Sequence, residues 1–223
     1  MNRSLTLRLM LKDWYLCRAS LVLVALAGTL CVGLLYLRNS SSSLVGLTGA
    51  LIAAVLVSIL PPVQTIVNER KHQNLAFVMS LPISPMEYTA SKVLGNFAAF
   101  LVVWLVIAGS VIATIARAEG YGGLIPMVVI VALVPFVAFW LLVSVAIITE
   151  SELVTLVTMG ACNISYSFAW IVLMQVPGLS QNLKSPVPVW STPVLLIIAG
   201  ELAVAIVCLG LTFFFQSRKT DFV

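Results

Sequence analysis

The sequence predicts an all-α integral membrane protein with six transmembrane helices. Of its 223 residues, 61% are hydrophobic and only 9% are charged, whereas a soluble domain has roughly 25% charged residues. Apolar runs of about twenty residues recur along the chain, which is the length that a helix needs to cross a roughly 30 Å hydrocarbon core. A helix also satisfies its own backbone hydrogen bonds, which lipid cannot do. The alternating ten-residue strands typical of a membrane barrel do not occur.

One transmembrane domain is predicted over residues 1–223. Its spans are expected at residues 19–37, 44–67, 93–116, 124–148, 153–176 and 193–216. The longest connection on one side of the membrane, residues 68–92, is predicted to contain a short cytoplasmic helix that fits a groove in a partner, and a plain re-entry loop with solvated charges is the alternative. The longest connection on the other side, residues 177–192, contains Pro186 and Pro188, which break regular helix. A re-entrant or cap-like element is an alternative for this second loop.

The basic residues indicate how the spans are oriented. With the N-terminus in the cytoplasm, nine of the twelve basic residues lie on the cytoplasmic side. Only Arg38, Arg117 and Lys184 then lie outside. Cytoplasmic loops of membrane proteins are enriched in Lys and Arg, so both termini are predicted to be cytoplasmic.

Residues 4–18 precede the first span and are amphipathic. Apolar side chains recur at helical spacing, and polar ones follow another face: Leu7, Met10, Leu11 and Trp14 against Ser4, Arg8 and Lys12. This pattern predicts an N-terminal interfacial helix, with its apolar side in the acyl boundary and its cations near lipid phosphates. The alternative is that these residues extend the first span into the headgroup region.

The patterns of several enzyme classes are missing from the sequence. The single histidine, His72, excludes a His-rich metal site. There is no nucleophile elbow of the form G-x-S-x-G and no phosphate-binding G-x-x-x-x-G-K-[ST]. The four cysteines form no C-x-x-C pair. We therefore predict no catalytic residues, no metal and no bound cofactor in this chain, so any ATP is used by another polypeptide.

The loop before the third span carries the most specific pattern. Glu69-Arg70 is followed by Leu81-Pro82-Ile83-Ser84-Pro85, then by Glu87-Tyr88 and Ser91-Lys92. Together with the segment Leu5–Trp14 before the first span, this pattern resembles the permease subunits of the type-2 ABC exporters, in their short six-span form. Ser91 stands where that family has a glycine.

The resemblance implies an assembly of two permease chains with two cytoplasmic ATPase subunits, which bind ATP and Mg. A homodimer is favoured over a heterodimer. The complex would lie in a bacterial cytoplasmic membrane and move a hydrophobic or amphipathic cargo outward, such as a lipid, a peptide or a natural-product antibiotic. A stand-alone secondary transporter or channel is the alternative. An integral-membrane enzyme of lipid metabolism is less favoured.

The resemblance also assigns roles to side chains. Residues 68–92 would form a coupling loop that connects the permease to the ATPase, through Glu69, Arg70, Leu75, Phe77, Met79, Glu87 and Lys92. We expect Glu69→Ala and Phe77→Ala to leave expression and membrane insertion nearly intact and to abolish transport. The second and fifth spans are expected to line the translocation pathway through Ser58, Thr65, Thr155, Thr158, Asn163 and Ser165. Hydroxyl and small residues that only join helices in lipid are the alternative.

Glu201 is the one acidic residue placed well inside a predicted span. A carboxylate at this depth costs several kcal/mol unless it is paired or hydrated, so attraction of cations or proton coupling is one hypothesis. We favour a second hypothesis, in which the carboxylate accepts hydrogen bonds from helix termini of the loop 177–192.

Overall fold

The computed structural model describes residues 3–37, 40–71, 84–118, 120–176, 178–183 and 185–218. Its described residues contain no strand, and six of its helices are long and apolar enough to cross a membrane. The predicted fold class is therefore confirmed. The helices are α1 (Arg3–Leu34), α2 (Ser40–Pro62), α3 (Pro85–Arg117), α4 (Ile125–Thr149), α5 (Glu152–Gln175) and α6 (Thr192–Ser217).

Helix α1 joins the predicted interfacial segment to the first span without a break. The segment 4–18 is therefore not a separate helix, and the alternative of a longer first helix describes it. The apolar residues Leu7, Leu11 and Trp14 are exposed on its outer side. Continuity has a physical reason: Gly and Pro are lacking throughout residues 3–27, so nothing interrupts the helix between the headgroup region and the span.

The connection between the second and third spans is shorter than predicted. Helix α2 contains Pro61 and Pro62 and continues through a π-helical turn, Val63–Val67, into a last α-helical turn, Asn68–Lys71. Helix α3 already begins at Pro85, because Ser84 and the side chain of Glu87 form a reciprocal capping box. Residues 85–92 are therefore helical and do not belong to the loop. The predicted coupling residues Leu75, Phe77 and Met79 lie outside the described residues.

Helices α1, α2 and α3 pack against one another along much of their length. A Cβ atom at Gly46 of α2 would lie 2.6 Å from the backbone oxygen of Cys31 in α1, so the close approach of these helices requires glycine there. Helix α3 meets α4 through stacked aromatic rings, with the centroids of Phe100 and Phe139 4.4 Å apart. The core of the bundle is therefore built around α3 and α4.

Helix α6 is fastened to α4 by buried polar groups. Thr212 Oγ1 lies 2.8 Å from Ser144 Oγ, and Gln216 Nε2 donates to the carbonyl of Ile147 at 3.1 Å. Helix α5, in contrast, packs mainly on α4 and leaves most of its surface exposed. Of its residues with described side chains, only Thr155 and Leu173 are buried.

The helices alternate in direction, so α1, α3 and α5 begin at the same end of the bundle, here called the charged end. At the opposite end, the described part of the loop 177–192 covers the connection between α3 and α4. The amide of Gly123 donates to the carbonyl of Ser185 at 2.8 Å. A Cβ atom at Gly123 would lie 1.8 Å from the carbonyl oxygen of Asn182, so the backbones are in direct contact.

Candidate functional site

Three helices meet at the charged end around a lysine with no solvent exposure. Lys92 of α3 is 0% exposed. Its Nζ lies 2.9 and 3.0 Å from the two carboxylate oxygens of Asp13 in α1. It also lies 2.7 Å from Glu69 Oε2 and donates to the carbonyl of Thr65 at 3.1 Å. All three protons of the ammonium group therefore have acceptors.

Glu69 joins this lysine to two further groups. Its Oε1 pairs with Lys12 of α1, and the hydroxyl of Tyr88 donates to its Oε2 at 3.2 Å. Burial acts to raise the pKa of the Glu69 carboxyl group, but the ammonium groups of Lys92 and Lys12 outweigh it and hold that pKa below its usual value. We call Lys12, Asp13, Glu69, Tyr88 and Lys92 the charge cluster.

The charge cluster is electrically balanced, with two carboxylates and two ammonium groups. Breaking a buried ion pair by removing one partner costs about 3–5 kcal/mol, because the other charge stays buried. The cluster also holds both ends of the chain segment 72–83: Glu69 lies just before it, and Tyr88 and Lys92 lie just after it. The charge cluster therefore joins α1, α3 and the last turn after α2 through side chains of all three.

Two of the predicted coupling residues are buried in this cluster. Glu69 and Lys92 are 4% and 0% exposed and form an ion pair with each other, and their role in coupling stays a prediction. Glu87 caps α3, with its carboxylate accepting from the Ser84 amide at 3.0 Å. Because Glu69→Ala would leave Lys92 without one of its two carboxylates, we expect this change to lower stability.

Sequence reasoning missed Asp13. A signal was present, because the residues that α1 buries recur every fourth position: Leu9, Asp13, Cys17 and Leu21. Side chains at this spacing share one face of a helix. Asp13 stands in this buried row, whereas the amphipathic pattern used for prediction describes the outer face.

A second feature is a crevice between α2 and α5, with α4 as its floor. Toward the opposite end it contains a cavity of about 280 Å³ lined by Leu51 of α2 and by Tyr166 and Ser167 of α5. It narrows to a void of about 10 Å³ at Ser58 and Asn163. At the charged end another small void is lined by residues of the π turn, α4 and α5: Ile66, Val67, Ala146, Glu150, Ser151, Glu152 and Thr155. These three spaces lie one after another between α2 and α5, and we call them together the α2–α5 crevice.

The structure places five of the six predicted pathway residues in three different surroundings. Ser58, Asn163 and Thr155 line the crevice. Thr65 is buried beside the charge cluster, where its hydroxyl lies 2.8 Å from Asn96 Oδ1, so it does not face open space. Thr158 is partly buried and donates to the carbonyl of Val154 at 2.8 Å.

Ser165, the remaining predicted pathway residue, does not line the crevice. It borders a neighbouring cavity between α5 and α6 that is also lined by Glu201. The Oε2 atom of Glu201 is buried and has no hydrogen-bond partner among the described residues. The favoured hypothesis, hydrogen bonds from helix termini of the loop 177–192, is therefore not supported for this oxygen.

An exposed ion pair closes the charged end of the crevice. Lys71 Nζ, at the end of the last turn after α2, lies 3.4 Å from Glu152 Oε1 in the first turn of α5. Both side chains are well exposed. Exposed pairs of this kind contribute little to stability, so this contact can open at small cost.

Comparison with protein families agrees with this architecture. The family described as ABC-2 family transporter protein matches residues 8–220. The chain belongs to this family. It is therefore a multi-pass membrane subunit of a transporter, not itself catalytic, and membership implies an ATPase partner in general. Comparisons with curated proteins and with solved structures gave no match.

Proposed function

We propose that this ABC-2 permease subunit acts in an ATP-driven exporter of a bacterial cytoplasmic membrane. Two copies would bind two ATPase subunits, and the charged end would face the cytoplasm. The cargo would be hydrophobic or amphipathic and would move outward. Support comes from the family match and from the concentration of basic residues at the charged end.

The observation that carries the transport proposal is the α2–α5 crevice. Its walls differ in mobility, because α2 is held by α1, α3 and α4, whereas α5 packs mainly on α4. Polar groups of both walls, including Ser58 and Asn163, lie at its narrow middle. A movement of α5 away from α2 would open this constriction without disturbing the aromatic contacts between α3 and α4.

The charge cluster supplies a route for coupling in this proposal. An ATPase that pushes on residues 72–83 would act on the flanking residues Glu69 and Lys92, which form an ion pair with each other. Since the cluster also holds Asp13, α1 would move with α2 and α3 as one unit. The work of the ATPase would then change the distance between this unit and α5.

Cysteine labelling tests the pathway. In a background lacking the four native cysteines, Asn163→Cys and Thr155→Cys are labelled with a polar maleimide in nanodiscs that also contain the co-expressed ATPase. We expect reactivity at both positions to change at least about threefold on nucleotide binding, because water must reach the thiol for it to ionise. Val157→Cys, on an exposed part of α5, serves as the control facing lipid.

Three results would contradict the proposal. Equal and nucleotide-independent reactivity at positions 155, 157 and 163 would mean that the crevice is only a packing defect. A permease that purifies as a stable monomer, with no bound ATPase, would remove the exporter interpretation itself. A proton or cation gradient that drives transport without any ATPase would favour the secondary transporter instead.

A further inference from the structure

A cavity of about 430 Å³ lies between α5 and α6, next to the crevice, with which it shares Ala169 and Leu173 of α5. Its walls are mostly apolar, with Val134 from α4, Phe168 and Val172 from α5 and Ile197 from α6. Among the described side chains, the polar ones that line it are those of Ser165 and Glu201. Cavities of roughly 300–1,000 Å³ with apolar walls and a few polar groups are typical of small-molecule sites.

The carboxylate is the feature that gives this cavity a chemical preference. Glu201 lies nine residues after the start of α6 at Thr192, which is about 14 Å along the helix axis. No ion pair to Glu201 is formed by the described residues, and its Oε2 atom is buried without a hydrogen-bond partner. A charged carboxylate so far inside a membrane needs a cation or a set of donors.

We propose that this cavity binds the ammonium group of a cationic amphiphile, with Glu201 as its counter-ion. A primary ammonium group has three N–H donors and no acceptor, as in lysine. The Glu201 carboxylate and the Ser165 hydroxyl both offer acceptors, and the surrounding side chains fit an apolar body. This inference rests on the proposed function, because it specifies the chemical class of the cargo.

The same argument ranks other ligands. A neutral alcohol with the same apolar body would fill the cavity but leave the carboxylate without a counter-ion. A quaternary ammonium ion would bring the charge but no N–H donor. An anionic lipid headgroup would be repelled by the carboxylate. The site should therefore prefer a primary amine to each of these.

The test uses 1-adamantanamine, which joins a compact apolar body to an amine that is protonated at neutral pH, as a lysine side chain is. Saturable binding of the radiolabelled amine is measured on the full chain in nanodiscs, and partition into empty nanodiscs is subtracted. We expect Glu201→Gln to weaken binding at least about tenfold, since it removes a charge-assisted hydrogen bond at nearly constant volume. Unlabelled 1-adamantanol should compete at least about tenfold less well than the amine.

Glu87→Gln is the matched control. It removes a carboxylate from the charged end, and glutamine still completes a capping box at this position, so binding should stay at the wild-type level. The proposal is overturned if the wild type shows no saturable binding, if Glu201→Gln binds equally well, or if the alcohol competes equally. Each of these results leaves the crevice labelling and the ATPase assembly unaffected, so it can be distinguished from failure of the proposed function.

Discussion

The last turns that follow α2 face neighbours of very different kinds on their two sides. Toward α1 and α3, they are joined to the buried Lys92 by an ion pair and a hydrogen bond. Toward α5, the described side chains make an exposed ion pair and border a small void of the crevice. Strong buried electrostatics therefore keep α1, α2 and α3 together, whereas the contact with α5 is weaker.

Lys92→Met should have the largest effect on stability of the changes that test this contrast. It leaves Asp13 and Glu69 buried without their shared cation, and we expect a loss of about 3–5 kcal/mol in stability. The stability loss is measured by heating the protein in detergent and monitoring the fraction that stays folded by size-exclusion chromatography. Lys71→Met, which removes an exposed lysine from the other side of the same helix system, should change stability by less than about 1 kcal/mol. Equal effects of the two changes would contradict the contrast.

Glu69→Gln should have a smaller effect, because Lys92 retains Asp13 and Lys12 is partly exposed. We expect a loss of about 2 kcal/mol near neutral pH. The lowered pKa of Glu69 gives the pH dependence its sign: its stabilisation is present above the unfolded-state value of 4.5 and is lost as the pH falls through the folded-state value. The stability difference between the wild type and Glu69→Gln should therefore narrow below about pH 4.5. A difference that stays constant down to pH 3 would count against the paired state of Glu69.

The Lys71–Glu152 pair should give the smallest effect on stability and a clear effect on the crevice. Glu152→Gln is expected to cost less than about 1 kcal/mol. It should raise maleimide reactivity of Thr155→Cys about twofold or more, because the ion pair no longer holds α5 beside α2. The double charge exchange, Lys71→Glu with Glu152→Lys, should restore low reactivity. If the maleimide reactivity of Thr155→Cys is the same with Glu152→Gln, with the double charge exchange and with neither, the ion pair does not close the crevice.

Sequence patterns were sufficient for the parts of the fold that depend on composition. Six long apolar runs predict six helices, because a helix of this length spans the hydrocarbon core and satisfies its own backbone hydrogen bonds there. Ser58, Thr155 and Asn163 were predicted to line the translocation pathway; they border small voids of the crevice, and their role in transport stays a prediction. Ser165 was grouped with them by helical spacing alone, which could not indicate that it faces a different cavity.

The charge cluster could be predicted only in part. Glu69 and Lys92 were expected to be important, but hydropathy places charged residues at the membrane edge and so favours contact with a partner over burial. Their burial depends on Asp13, which is 79 residues from Lys92 in the sequence. A neutral, fully hydrogen-bonded set of charges can be buried where a single charge cannot, and pairing over such distances leaves no local pattern.

The π turn at Val63–Val67 sets the rotational phase of everything that follows it. A π turn accommodates one more residue than an α-helical turn, and one residue corresponds to about 100° around the helix axis. Without the inserted residue, Glu69 would point about 100° away from its present direction, and its carboxylate would no longer meet the lysine. Deletion of one residue within this turn would therefore rotate the whole following turn, Asn68–Lys71, out of its present alignment, although every charged residue would still be present in the chain.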